Sequence, residues 1–237
     1  MRDENFGGLL THLTGGSDRA GGGDGPLVVL MHGFGAPGTD LVGLERMLRV
    51  PGGTRFAFPE APLSLPEFPF PARAWWRIDL ARFEQARTQA DLLARSNEVP
   101  EGLVHARERV IACLNELQER LSVPSEKIVL GGFSQGAMIA CDVALSDPRP
   151  LAGLALLSTT LISAQTWLPR MSRREGLRVF QSHGQVDAIL PFVAADKLRE
   201  LWVEAGAEHE WVEFRGGHEI PPPVLEKLGA FITRSVS

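Results

Sequence analysis

Gly132-Phe133-Ser134-Gln135-Gly136 is a G-x-S-x-G pattern, and it is the place where this chain offers a nucleophile. A serine hydroxyl reacts only with a base beside it and a carboxylate that orients the base. The pattern directly follows an apolar run, Lys127–Leu130, and directly precedes a helical one starting at Gln135. A strand-to-helix turn this tight forces an awkward backbone at the serine and pushes its hydroxyl out at the C-terminal edge of a sheet. Glycines on either side let the neighbouring chains pass. The helix N-terminus behind it favours developing negative charge. The competing account is a Gly-flanked serine used as a helix cap.

In a sheet of this kind the partners follow in the order Ser, acid, His, each on a loop after a strand. His183 and His218 both follow Ser134 in such places. His218 is the better base, because Gly216-Gly217-His218-Glu219 lies between the apparent strand Glu208–Phe214 and the last helix. Asp187, in His183-Gly184-Gln185-Val186-Asp187 after the apparent strand Leu177–Gln181, is placed as the orienting acid. Singly, His218 reads as a loop histidine and Asp187 as an Asx turn or helix cap. Asp196 sits inside a helical pattern and is a worse acid. His12, His105, His183 and His209 read as structural or solvated.

Acyl transfer also needs two donors aimed at the developing oxyanion. One is the backbone N–H after the nucleophile, Gln135. The other belongs to the loop after an early strand, His32-Gly33-Phe34-Gly35-Ala36-Pro37-Gly38, where Phe34 is the candidate and His32 a brace. The same loop spells G-x-G-x-x-G, with Glu60 about where a ribose-binding acid would lie. That pattern makes a dinucleotide-binding oxidoreductase the rival from another class. Pro37 stands against it, inside the fingerprint where a helix should start. A non-catalytic acyl-ligand binding protein on the same fold is a third reading. His209-Glu210 lacks the second histidine of H-E-x-x-H, and no His/Cys group has ligand spacing, so no metal is expected.

The elements that must position these residues alternate. Strands are expected at Leu27–Met31, Thr54–Phe58, Lys127–Leu130, Leu151–Leu157, Leu177–Gln181 and Glu208–Phe214. Helices are expected at Leu41–Leu48, Leu80–Ala94, Pro100–Leu121, Gln135–Leu145, Pro191–Ala205 and Pro221–Ile232. This alternation argues for an α/β fold, a mainly parallel central sheet with helices on both faces. Residues 15–25 are rich in glycine, so residues 1–25 read as a flexible N-terminal segment and 26–237 as one catalytic domain. Five prolines within residues 59–71 make a stiff loop. Its Leu63, Leu65, Phe68 and Phe70, with Trp75 and Trp76, read as the wall of an apolar acyl groove; ordinary packing is the competing account.

Composition narrows the classes. The chain has 237 residues, a formal net charge of −5 and no tyrosine, so a phenol can neither catalyse nor hold an oxyanion. None of the lysines, Lys127, Lys197 and Lys227, has a serine three residues before it, which removes the Ser-x-x-Lys hydrolases. The acidic balance is a poor match for nucleic acid or anionic membranes. Cys113 and Cys141 cannot form a disulfide framework and read as reduced buried thiols. No cationic leader with an apolar run opens the chain, and no apolar stretch approaches membrane length. The expected setting is cytoplasmic, without stable membrane insertion.

Leu30-Met31-His32-Gly33-Phe34-Gly35, Asp40, Pro59-Glu60-Ala61-Pro62, Arg73-Ala74-Trp75-Trp76, Gly131-Gly132-Phe133-Ser134-Gln135-Gly136, His183-Gly184-Gln185-Val186-Asp187 with Pro191, and Gly217-His218 occur in that order. The series resembles the phospholipase/carboxylesterase family of α/β-hydrolases, which includes the acyl-protein thioesterases. The resemblance runs from about Pro26 to the C-terminus. It implies a cofactor-free esterase or thioesterase with Ser134, Asp187 and His218 as its triad and Phe34 and Gln135 as oxyanion donors. Ala137 stands where many members have a second glycine. Arg77 follows the Trp pair where members often carry Asp, and Leu80–Ala94 is longer than in the eukaryotic thioesterases. The palmitoylated-protein substrate of those enzymes is therefore not carried over.

The expectation is a serine carboxylesterase acting on a small-molecule ester of short or medium acyl chain. The alternatives within the family are an acyl-protein thioesterase or a lysophospholipase. The Phe/Trp segment suits a homodimer contact as well as a substrate.

Overall fold

The computed structural model describes residues 1–78 and 96–237; the helix expected over Leu80–Ala94 lies outside the described residues. In chain order the described elements are β1 Arg2–Phe6, β2 Leu9–Gly15, β3 Leu27–Met31, α1 Leu44–Met47, β4 Arg55–Pro59, β5 Leu63–Ser64, β6 Arg73–Ala74, α2 Leu103–Leu121, β7 Ile128–Phe133, α3 Gln135–Ser146, β8 Gly153–Leu157, α4 Ala164–Met171, β9 Arg178–Gly184, α5 Phe192–Glu204, β10 Glu208–Phe214 and α6 Pro222–Val236.

Eight strands form one sheet in the order β1-β2-β4-β3-β7-β8-β9-β10. From β4 to β10 all neighbours are parallel, while β2 runs antiparallel to both β1 and β4. This is the α/β-hydrolase arrangement. Alternate residues of the parallel strands serve opposite cores, which is why they read as unbroken apolar runs. Leu27, Val29 and Met31 of β3 join Ile128 and Leu130 of β7 beneath α2, α3, α4 and α5. Val28, Leu30 and Val129 face the other way, against Val224, Leu228 and Ile232 of α6. All the strand C-termini of the parallel region open on one edge, and β7 lies near its middle. The site residues on loops after β3, β7, β9 and β10 therefore converge there.

The ordered chain begins well before Pro26. Gly7 and Gly8, with φ of 58° and 82°, join β1 to β2. Two consecutive left-handed residues are what a two-residue hairpin turn between twisted strands requires. Phe6, Leu9 and Leu13 are fully buried against the α2 side. The glycine-rich stretch is also fastened. Asp18 Oδ1 accepts the N–H groups of Ala20 and Gly22, each at 2.8 Å. The buried Arg55 donates to the carbonyls of Gly23, Gly25 and Leu121 at 2.7–2.9 Å. Polar partners, rather than apolar periodicity, order this segment, so a search for periodicity passes over it.

Helix α4 was also absent from the expected elements. It is short, contains Pro169, and is anchored by Trp167, whose indole N–H donates to the buried Asp142 at 2.8 Å.

Candidate active site

Ser134 closes β7 and opens α3. Its φ of 55° and ψ of −120° lie in a region that a side chain adopts only under constraint. The constraint is crowding on both flanks. A Cβ on Gly136 would sit 1.9 Å from the Met31 carbonyl oxygen, and one on Gly132 would sit 2.5 Å from that same oxygen. Strand β3 thus passes directly under the turn, and only glycine fits beside it. The Ser134 N–H donates to the Leu157 carbonyl at 2.9 Å, which fixes the turn to β8. The Ser134 hydroxyl has no hydrogen-bond partner among the described residues and lines a cavity that His218 also lines. A nucleophile and its base often close to bonding distance only once substrate is bound.

His218 stands on the loop after β10, and Asp187 on the loop after β9. Nδ1 of His218 is 2.7 Å from Asp187 Oδ2. A carboxylate only accepts, so Nδ1 is the donor, and the neutral ring keeps its lone pair on Nε2. Asp187 Oδ1 accepts the N–H groups of Ile189 at 2.9 Å and Leu190 at 2.8 Å. Burial pushes the Asp187 carboxyl up, but the bonds from His218, Leu190 and Ile189 outweigh it and hold the group below its usual 3.8. The two loops are joined by main-chain bonds, Gln185 N–H to Phe214 and Val186 N–H to Gly216, at 2.9 and 3.1 Å. The face of His218 is packed by the Phe133 ring, centroid to centroid 4.7 Å.

His183, the rival base, is fully buried and turned away from that role. Its Nε2 donates to the Leu190 carbonyl at 2.7 Å and lies 3.4 Å from Asp187 Oδ2. Burial lowers its pKa, so it stays neutral and closes the Asp187 turn.

The loop after β3 is held from two sides. His32 Nδ1 donates to the Gly33 carbonyl at 2.8 Å, and Nε2 accepts the Ala61 N–H at 3.0 Å. Those bonds need one defined neutral tautomer, and burial pushes the His32 pKa down to about 4. On the other side the Gly35 N–H donates to the Arg73 carbonyl at 2.9 Å, and the Arg73 N–H donates to Ala36 at 3.0 Å. The N–H groups of Phe34 and Gln135 are left without a partner among the described residues, and both residues line the cavity. The loop does not open a helix. Glu60 faces His12 and Arg73 rather than a ligand space, which argues against dinucleotide binding.

The cavity has a volume of about 730 Å³. Its apolar wall includes Trp76, Ile78, Met138, Leu161, Ile162 and Leu190, and Asp40 and Arg77 also reach it. This corrects the expected groove. Of Leu63, Phe68, Phe70, Trp75 and Trp76, only Trp76 lines the cavity among the described residues. Leu63 and Phe68 pack with Leu65 into a small separate core behind Phe34, because a proline-stiffened loop folds onto itself. Phe70 is 49% exposed. Trp75 belongs to the main core and donates its indole N–H to the His32 carbonyl at 2.9 Å. The actual wall comes from the stretch after β6 that holds Trp76 and Ile78, from α3, from the loop after β8 and from the Asp187 turn. Sequence reading also missed the Gln135 side chain, which bonds the main chain of Trp75 and Trp76 at 2.9 and 2.8 Å.

A family model described as Phospholipase/Carboxylesterase matches residues 21–236. The chain belongs to the phospholipase/carboxylesterase family. It is a serine hydrolase in the sense of that family. An acyl-protein thioesterase 1 of Mycosarcoma maydis is 31% identical over 191 residues, covering 77% of this chain and 78% of that protein. An acyl-protein thioesterase 1 of Eremothecium gossypii is 31% identical over 215 residues, covering 86% and 85%. Among solved structures, esterase PE8 superposes with a TM-score of 0.79 at 26% identity, covering 94% of this chain and 97% of its own. A carboxylesterase from Mesorhizobium loti gives 0.75 at 18% identity over 98% and 99%, a likeness of fold. The segments Pro59–Pro62 and Arg73–Trp76 hold the loop after β3, and touch the cavity only through Trp76.

Proposed function

We propose that this family member is a carboxylesterase that cleaves esters of short or medium acyl chains through an acyl-enzyme. The observation that carries the reading is Ser134, held at φ 55° on the wall of a cavity that also admits the Asp187-bound imidazole of His218. Ser134 Oγ attacks the ester carbonyl as His218 Nε2 takes its proton. Asp187 fixes the ring and stabilises its cation. The carbonyl π electrons move onto oxygen, which meets the free N–H groups of Phe34 and Gln135. The imidazolium then gives its proton to the departing alkoxide, and water repeats the sequence on the acyl-enzyme. Stabilisation falls on main-chain donors, in keeping with a chain that has no tyrosine.

The apolar wall formed by Met138, Leu161, Ile162 and Leu190 supports an aliphatic acyl group. Hydrolysis of p-nitrophenyl esters and labelling by a fluorophosphonate test the reading. Ser134→Ala should lower turnover by roughly 10⁴-fold or more and abolish labelling. Full activity in that variant would overturn it. The thioesterase names of the relatives favour a second reading, cleavage of thioesters. A matched series of oxygen and sulfur esters of increasing chain length decides between them.

A further inference from the structure

A buried histidine links the antiparallel edge of the sheet to the loop after β3. His12 on β2 is 3% exposed. Its Nδ1 lies 2.8 Å from Asp3 Oδ1 on β1, and its Nε2 lies 3.2 Å from Glu60 Oε1 just past β4. The second oxygen of Glu60 is 3.3 Å from Arg73 Nε, and that Nε also donates to the Ala61 carbonyl at 2.6 Å. The Arg73 main chain then carries Gly35 and Ala36, the residues next after Phe34. Glu60 meets the far end of the same loop as well, since a Cβ on Gly38 would fall 2.0 Å from its Cγ.

A chain of polar and ionic groups in a partly buried place is a poor source of stability, because desolvation offsets much of the attraction. What such a chain does provide is direction. His12 and Glu60 are each held between two partners, and Arg73 at the end of the chain sets the loop that bears the Phe34 N–H. An oxyanion donor is effective only when it points at the place where charge develops. None of the four side chains lines the cavity, so none touches substrate.

We propose that His12 and Glu60 are positioning residues for catalysis, holding Arg73 and thereby the Phe34 N–H in line with the oxyanion. The hairpin formed by β1 and β2 is then part of the catalytic apparatus. The inference rests on the reading of Phe34 as an oxyanion donor.

Glu60→Gln keeps the shape and removes the charge that His12 and Arg73 meet; His12→Gln breaks the same chain one link earlier. In each, kcat should fall roughly 10- to 100-fold while KM stays within about twofold, the mark of a lost transition-state contact. The inhibition constant of an alkyl boronic acid, whose adduct on Ser134 places an oxygen in the oxyanion site, should rise by the same factor. A folded Glu60→Gln or His12→Gln enzyme with kcat within about twofold of the parent overturns the proposal, as does a change confined to KM. Where neither variant folds, Asp3→Asn at the half-exposed end decides on a smaller scale: a drop of about threefold in kcat supports the proposal and an unchanged kcat overturns it. Activity surviving in Ser134→Ala would sink the esterase reading itself; a dead Ser134→Ala beside an unimpaired Glu60→Gln sinks only this inference.

Discussion

Gln135 holds Trp75 by the main chain: its Oε1 accepts the Trp75 N–H at 2.9 Å while its Nε2 donates to the Trp76 carbonyl at 2.8 Å. One amide thus mimics a strand neighbour for two successive residues. It joins the turn that bears Ser134 to the segment that carries the cavity residue Trp76, and Trp75 in turn bonds the His32 carbonyl at the start of the loop after β3.

Gln135→Ala leaves two buried main-chain groups unpaired while keeping its own N–H in place. Each unpaired group costs about 1–3 kcal/mol, so urea melts should show a loss of roughly 2–6 kcal/mol. Turnover should fall as well, because Trp76 and the loop after β3 lose their common anchor. Undiminished stability would mean that the Trp pair does not depend on Gln135.

Ser134 pays in strain for its exposure. Glycine adopts a φ of 55° freely, so Ser134→Gly should be more stable than the parent by roughly 1–2 kcal/mol while losing esterase activity. Ser134→Ala keeps the Cβ and the strain, so it should lose activity without that gain. Thermal unfolding of the two variants side by side measures the difference.

Acid should weaken the protein through its buried histidines. The His32 pKa is pushed down to about 4 by burial, from an ordinary 6.5. The unfolded chain therefore binds more protons than the native one between those values, and stability falls as pH drops through that window. The loss from His32 between pH 7 and pH 4.5 should be on the order of 2 kcal/mol. His209, brought to about 4 by burial and by Arg199, adds in the same direction. Asp187 has the opposite placement. Its folded value lies below 3.8, so its contribution persists across that range and is lost only at lower pH. Urea midpoints at several pH values test this, and His209→Gln should flatten the slope.

Chain-length preference should follow the observed wall and ignore the proline-rich loop. Leu161→Ala, which removes a buried cavity residue, should shift preference toward longer acyl chains by roughly tenfold in kcat/KM, the scale of a few methylenes in a pocket. Phe70→Ala, at an exposed position away from the cavity, should leave every kcat/KM within about twofold. A larger effect at Phe70 than at Leu161 would restore the groove expected from sequence.

The sequence by itself determined the alternation of buried strands and helices, because burial on both faces of a parallel strand writes an unbroken apolar run such as Leu27–Met31. It also determined where Ser134, Asp187 and His218 fall, because glycine punctuation marks the turns after strands and each of these residues sits in one. Tertiary structure decided the rest. The hairpin of β1 and β2 has its turn written in Gly7-Gly8, yet His12 reads only as structural or solvated until Asp3 and Glu60, far apart in the chain, close on it. The proline loop looks like a substrate wall because its residues are apolar, and composition does not say which way they face. Leu63 and Phe68 turned inward behind Phe34, while Met138, Leu161 and Leu190, ordinary members of helix and loop, were left to line the cavity. Local signals fix elements and their order; which surfaces meet depends on contacts between distant segments that no local pattern records.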